Sequence, residues 1–273
     1  MNYEKKKVLI TAKTYPHPSA TYQELVCTAG VLEDGTFIRL YPIDYRYMPY
    51  WKWYKKYQWI EVEVIKHDKD PRKESYRPKI DTIKPISSPL STKNNWQERK
   101  KYVLANGTQT IEYLNELKNQ DKTSLGIIRP EKVSDFVIEP STEEWKGSWQ
   151  DVLKQNNLFG PDKKPLEKIP YKFSYVFKCD DDRCNGHKMM MEDWEVGQLY
   201  RKMKEQGNSP EEAAQKVKDR FYNDMCASDI DTHFFVGTVL AHGTWVILGV
   251  FWPKKESANY KIKKCLIGKS EEE

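Results

Sequence analysis

The chain's hydrophobic and polar positions predict strands first. Residues 59–65, WIEVEVI, alternate apolar and acidic side chains, the two-residue period of a strand with one wet face. Val8 to Lys13 also reads as a strand, and Tyr15-Pro16-His17-Pro18-Ser19 breaks it because two prolines cannot continue a ladder. Leu25 to Gly30 and Thr36 to Tyr41 flank Glu33-Asp34-Gly35, and an Asp-Gly pair between β-prone runs predicts a hairpin. Residues 66–95, rich in Pro, Lys and Ser, predict a long connection with short extended pieces.

Helical patterns follow at Trp96 to Leu104 and Thr110 to Leu117, separated by Asn106-Gly107. Leu125 to Ile128 and Val133 to Glu139 predict short strands, and Thr142 to Gln155 a helix with Thr142 as N-cap. Gly160, Pro161, Pro165 and Pro170 mark a boundary before Tyr171 to Lys178, another alternating strand. Asp193 to Glu205 is helical in pattern. Ser209-Pro210-Glu211-Glu212 is a helix start that should run to about Met225, with Ser as cap and Pro at the first helical position. His233 to Thr238 and Thr244 to Phe251 predict a hairpin around Ala241-His242-Gly243, followed by a loose tail with a short strand near Ile262 to Leu266.

This order lacks the steady βαβ alternation of a doubly wound sheet, so the fold class is α+β. The expected architecture is an N-terminal antiparallel curled sheet or small barrel, then helices, then a strand–helix–helix–hairpin unit. The corresponding division is a basic, aromatic-rich β domain at 1–95, a mainly helical segment with short strands at 96–160, and an α+β unit at 161–273.

Composition sharpens this picture. Seventeen Tyr, nine Trp and nine Phe argue against disorder, because such rings supply buried area that disordered chains lack. No run approaches the ~18 apolar residues of a membrane span, and Val8 to Ile10 is too short for a secretory signal. Five cysteines, an odd number, suit a reducing compartment, so the cytoplasm is the expected location. Charge is uneven: residues 1–101 carry 20 Lys/Arg against 12 Asp/Glu, whereas 102–273 carry 25 against 28. A basic half favours a polyanionic partner such as nucleic acid.

Two constellations carry candidate chemistry. In KCDDDRCNGHK, Cys179, Cys184 and His187 offer the thiolate and imidazole ligands that zinc prefers, and Gly186 eases the turn between the last two. The fourth ligand must come from elsewhere, with Cys226, His233 and His242 as candidates. The bland alternative is a pair of half-buried cysteines flanking a solvated acidic turn. Asp180, Asp182 and Glu192 would be the hard ligands of a Mg²⁺ or Mn²⁺ variant.

The second is Asp44 to Trp59, where eight of sixteen residues are Tyr or Trp, interleaved with Arg46, Lys52, Lys55 and Lys56. Rings can stack unpaired bases while cations follow phosphates, or the same rings can plug a barrel. Read as a strand, the segment turns Trp51 and Trp53 to the core. Lys52 and Tyr54 then face outward, with Tyr54 as a base platform.

Catalytic patterns are sparse: there is no phosphate loop, dinucleotide turn or nucleophile elbow. Asp135 with Glu144-Trp145-Lys146 matches the letters of a restriction-type nuclease, but on a predicted helix. Asp193 and Glu195 on one helix would point about 200° apart. Met189, Met190 and Met191 read as core filling, and His17 and His67 as surface. The preferred reading is a DNA- or RNA-binding protein with a zinc-stabilised C-terminal half that also docks a protein partner. The rivals are a metal-dependent hydrolase or nuclease with its ion near Cys179, Cys184 and His187, and a protein scaffold or adaptor.

Overall fold

The computed structural model describes residues 2–19, 23–145, 147, 149 and 166–256. Strands β1 (Glu4–Lys13), β2 (His17–Ser19), β3 (Gln23–Val31), β4 (Phe37–Ile43), β5 (Trp59–Lys66), β6 (Ser75–Pro78) and β7 (Lys84–Pro85) form one sheet. It closes on itself. β1 pairs with β3 on one side and β5 on the other, and β4 meets β5 through β6, giving a closed ring of five strands.

The ring is mixed rather than purely antiparallel, because β4 and β6 run parallel. The chain leaving β4 crosses the barrel end in two short 3-10 turns, Tyr45–Tyr47 and Tyr50–Lys52, instead of making a hairpin. β5 therefore lies beside β1, and the place beside β4 is taken by β6.

Strand periodicity divides the side chains into two cores. Val8 and Ile10 of β1, Val26 of β3, Ile38 and Leu40 of β4, and Ile60, Val62 and Val64 of β5 fill the barrel. Glu61 and Glu63 take the wet face of β5, where they pair with Lys5 and Lys79. The other face of β1 and β3 is also buried: Leu9, Ala29 and Val31 pack on Leu125, Ile127, Phe235, Val246 and Leu248 of the second half.

That half begins with α1 (Lys93–Val103) and α2 (Ile111–Asp121), followed by β8 (Leu125–Ile128) and β9 (Pro130–Pro140). Then come β10 (Tyr171–Cys179), β11 (His187–Met190), α3 (Trp194–Glu205), α4 (Pro210–Lys218), β12 (His233–Thr238) and β13 (Trp245–Phe251). They build two three-stranded sheets, β13-β12-β8 and β11-β10-β9. Strands from before and after residue 160 thus share both sheets, so the expected break there divides no sheet. α4 opens with a full capping box, Ser209 and Glu212 bonding each other's backbone N–H. Of the expected helix at Thr142 to Gln155, residues 142–145 are not helical and most of the rest lie outside the described residues, as does the strand near Ile262 to Leu266. No described helix is long and apolar enough to cross a membrane.

Candidate functional site

The cysteine turn is built from α2 outward. Thr110 caps α2, accepting from Tyr113 N–H at 3.2 Å, and its hydroxyl also donates to Asp181 at 3.0 Å. Asp181 in turn receives Arg183 Nε at 2.9 Å and the Arg183 backbone N–H at 3.0 Å. The middle of the acidic run is therefore a structural brace, not a solvated charge. Gly186, at φ 94°, supplies the left-handed turn that returns the chain into β11.

This brace sets Cys179, at the end of β10, and His187, at the start of β11, against the first turn of α2. Glu112 projects from that turn. The ligand atoms of Glu112, Cys179, Cys184 and His187 lie within 4.8 Å of one another. His187 Nε2 is 2.9 Å from Glu112 Oε1 and 3.3 Å from Cys184 Sγ. Cys179 N–H points at Cys184 Sγ, 3.2 Å away. Both cysteines are buried. The cluster can hold a metal ion, and the fourth donor is Glu112.

The three expected fourth ligands are elsewhere. Cys226 Sγ lies 3.6 Å from Phe221 O, His233 is buried with Nδ1 2.9 Å from Asp231 O, and His242 sits in the β12–β13 turn. Glu112 was missed because it precedes Cys179 by a whole sheet and reads locally as an acid favoured by the helix dipole.

One buried oxygen fits the cluster to a cation. Glu112 Oε2 is buried with no hydrogen-bond partner. Burial pushes the Cys179 thiol up to about 12, with the charge and a hydrogen bond of Glu112 and the charge of Cys184 adding to the shift against a bond from the Ile111 backbone. A positive ion reverses that sign and takes up the orphaned oxygen.

The aromatic segment mostly faces inward. Tyr54 is 1% exposed and its hydroxyl is 2.7 Å from Thr28 Oγ1, while Trp51 is 71% and Tyr50 83% exposed. The expected faces are thus reversed for Trp51 and Tyr54, because 3-10 turns replace the strand on which the alternation rested. Tyr45, Met48 and Tyr54 plug the barrel. Among the cations, Arg46 pairs with Glu24 at 3.3 Å and Lys52 donates to Asp81 O at 2.7 Å. Lys56 meets Glu195 at 2.8 Å, and Lys55 alone of the expected contact residues is exposed. Lys13, beneath the plug, lies 3.8 Å from the Tyr45 ring centre and 4.9 Å from that of Trp194. Burial lowers its pKa to about 7 against the opposing fields of Glu195 and Asp193.

The two halves are joined by polar bonds at the seam. Arg39 of β4 is buried and donates to Ser75 Oγ, Ser124 Oγ and Ser124 O. Glu74 accepts Ser124 N–H at 3.0 Å and its hydroxyl at 2.7 Å. Asp70 grips Arg72, which reaches across to Thr238 O.

Beside this seam lies a cleft of about 930 Å³. One wall is the outward face of β3 and β4, with Leu25, Cys27, Arg39 and Tyr41, continued by His17 of β2 and by Arg72. The other wall carries Lys172 and Ser174 of β10, Lys188 and Met190 of β11, Trp245 of β13 and His242 of the hairpin turn. Lys188 pairs with Glu139 at 2.8 Å, and His17 Nε2 lies 2.9 Å from Glu192 Oε2. Desolvation opposes charge on His17, but the bond and field of Glu192 outweigh it and raise its pKa above the ordinary value. His17 is at the surface as expected, its ring 56% exposed, and it lines this cleft. Of the nuclease-like letters, Asp135 bonds Lys218 at 3.0 Å and lines no part of the cleft, and Lys146 lies outside the described residues.

Comparison with known families divides the chain just after α1. Residues 4–105 match a domain of unknown function (DUF8758), and residues 107–265 match another domain of unknown function (DUF8757). The chain belongs to the DUF8757 family. No curated protein matches this DUF8757 chain. Two solved structures are loosely similar to it, each at 11% identity and covering 93% of this chain and 97% of the other. They are a murine DNA-binding protein bound with double-stranded DNA, at a TM-score of 0.30, and the HINb domain of p204, at 0.31.

Proposed function

We propose that this protein binds single-stranded nucleic acid in the cleft between its halves, and that a structural zinc ion holds the C-terminal half that forms one wall. The observation that carries this reading is the lining of the cleft. Exposed Lys172 and Lys188 and half-buried Arg72 line it, with half-buried Tyr41 and buried Trp245 among them. Cations suit a phosphate backbone and rings suit unpaired bases, which is the pairing that strand-tracking grooves use. The barrel topology agrees. Leaving out β2 and β7, its strands run in the order first, second, third, fifth, fourth, then back to the first, with third and fifth parallel. That is an OB-type arrangement, whose second and third strands and adjoining loops are a ligand-binding face. Here those strands are β3 and β4, and they face the cleft. The topology is an analogy, and the lining bears the weight.

Zinc is favoured at the metal cluster because two thiolates, an imidazole and a carboxylate make a four-donor set of its preferred types. Four protein donors complete a tetrahedral ion, which suits a structural role better than a hydrolytic one. Fluorescence anisotropy with labelled oligonucleotides tests the binding. Single-stranded DNA or RNA is expected to bind in low salt and to weaken steeply as salt rises. Lys172→Glu should weaken binding about tenfold or more, and Lys55→Glu, on the far plug, should not. Absence of binding at low salt, or loss with Lys55→Glu alone, overturns the cleft reading.

A further inference from the structure

The cleft holds two histidines whose positions the binding reading does not use. His17 stands on the barrel wall, and its Nε2 is bound to Glu192. With Glu192 accepting the Nε2 proton, the free lone pair is at Nδ1, on a ring that is 56% exposed. His242 comes from the exposed β12–β13 turn on the other wall. Lys172, exposed and without an ion pair among the described residues, lies in the same lining. The two carboxylates of the lining, Glu139 and Glu192, are each engaged, by Lys188 and His17 respectively. A base, a second imidazole and a cation therefore share one cleft that suits a phosphodiester chain.

Resting on the nucleic-acid reading above, we propose that the cleft cleaves single-stranded RNA by internal transesterification, with His17 and His242 as catalytic residues and Glu192 as a positioning residue. His17 Nδ1 takes the proton of a ribose 2′-hydroxyl, and the freed oxygen forms a bond to the adjacent phosphorus. The bond from phosphorus to the 5′-oxygen breaks, and protonated His242 gives its proton to that oxygen. The products are a 2′,3′-cyclic phosphate and a 5′-hydroxyl end. No water, metal or redox partner enters, because the nucleophile belongs to the substrate. Lys172 offsets charge on the phosphoryl oxygens as the fifth bond forms. The requirement for a 2′-hydroxyl selects RNA over DNA, since only RNA carries that group.

The experiment uses the full chain and two oligonucleotides of one sequence, all-DNA and DNA with a single internal ribose. Both should bind, and only the second should be cut, at the ribose, leaving a cyclic phosphate detectable by mass spectrometry. His17→Gln and His242→Gln, purified identically, should each slow cleavage by about 100-fold or more with binding retained. Glu192→Gln should lower kcat with KM unchanged, which a mere strap between the halves would not produce. Because His242 lies in an exposed turn, its variant keeps the test decisive if His17→Gln fails to fold. Binding of both strands with no cutting overturns the inference and leaves the binding reading standing. So does cutting that persists in His242→Gln. Failure to bind either strand overturns the binding reading on which it rests.

Discussion

Tyr54 is bonded through its hydroxyl to Thr28 inside the barrel, so Tyr54→Phe leaves that buried hydroxyl without its partner. The expected loss is about 1–2 kcal/mol in urea denaturation. Trp51 is largely exposed, and Trp51→Ala should stay within about 0.5 kcal/mol of the parent. A period-two reading gives the opposite assignment, and it fails here because Pro49 and the rings fold the segment into 3-10 turns. A similar local rule misleads at Asp193. A helical wheel separates it from Glu195, yet Asp193 is the N-cap, outside helical geometry, and accepts Glu195 N–H at 2.9 Å. Both carboxylates act on Lys56. Where periodicity was uninterrupted, as in residues 59–65, the inward and outward residues were legible one by one.

At the scale of elements, strands and helices were legible wherever caps and alternation agreed. Ser209 caps α4 as its sequence indicates, and Ser209→Ala should cost about 1 kcal/mol. β6 was not legible as a barrel strand, because four residues ending in Pro carry no period and its parallel partners, Arg39 and Leu40, are 36 residues away. The metal cluster was half legible: Cys179, Cys184 and His187 were in view, but Glu112 becomes adjacent only when α2 docks on the β10–β11 turn. Purified protein should therefore hold about one equivalent of zinc by elemental analysis. Glu112→Ala and Cys184→Ser should both lose most of it and lower the Tm, whereas Cys226→Ser should retain it. Full zinc in Glu112→Ala would move the fourth ligand elsewhere.

For the molecule as a whole, the seam decides stability. Arg39→Ala removes a buried guanidinium and strands Glu74 and Ser124, with an expected cost of about 3–5 kcal/mol. Asp70 gives the seam a pH dependence. Burial would raise its pKa, but hydrogen bonds from Arg72 and Ser75 prevail and bring it to about 2 from 3.8. A carboxyl depressed on folding stabilises above its unfolded value, and that contribution disappears as pH falls from near 4 toward 2. Asp70→Asn should therefore be less stable than the parent at pH 6 and approach it at pH 2 in urea titrations.

Arg39 also sets an order of events during synthesis. The last strand of the ring, β6, is complete at Pro78, but Ser124, which receives Arg39, is made 46 residues later, and Thr238, which receives Arg72, later still. At the usual ~5–20 residues per second, a growing chain spends several seconds with a finished ring whose arginines still face water. The nascent barrel thus shows Arg39 and Arg72 beside the apolar Leu9, Ala29 and Val31 on the side that will become the seam. An arrest peptide placed far enough beyond Pro78 for β6 to leave the exit tunnel, with Ser124 still inside it, should leave Arg39 open to solvent, whereas a chain stopped well beyond Ile128 should already have withdrawn it.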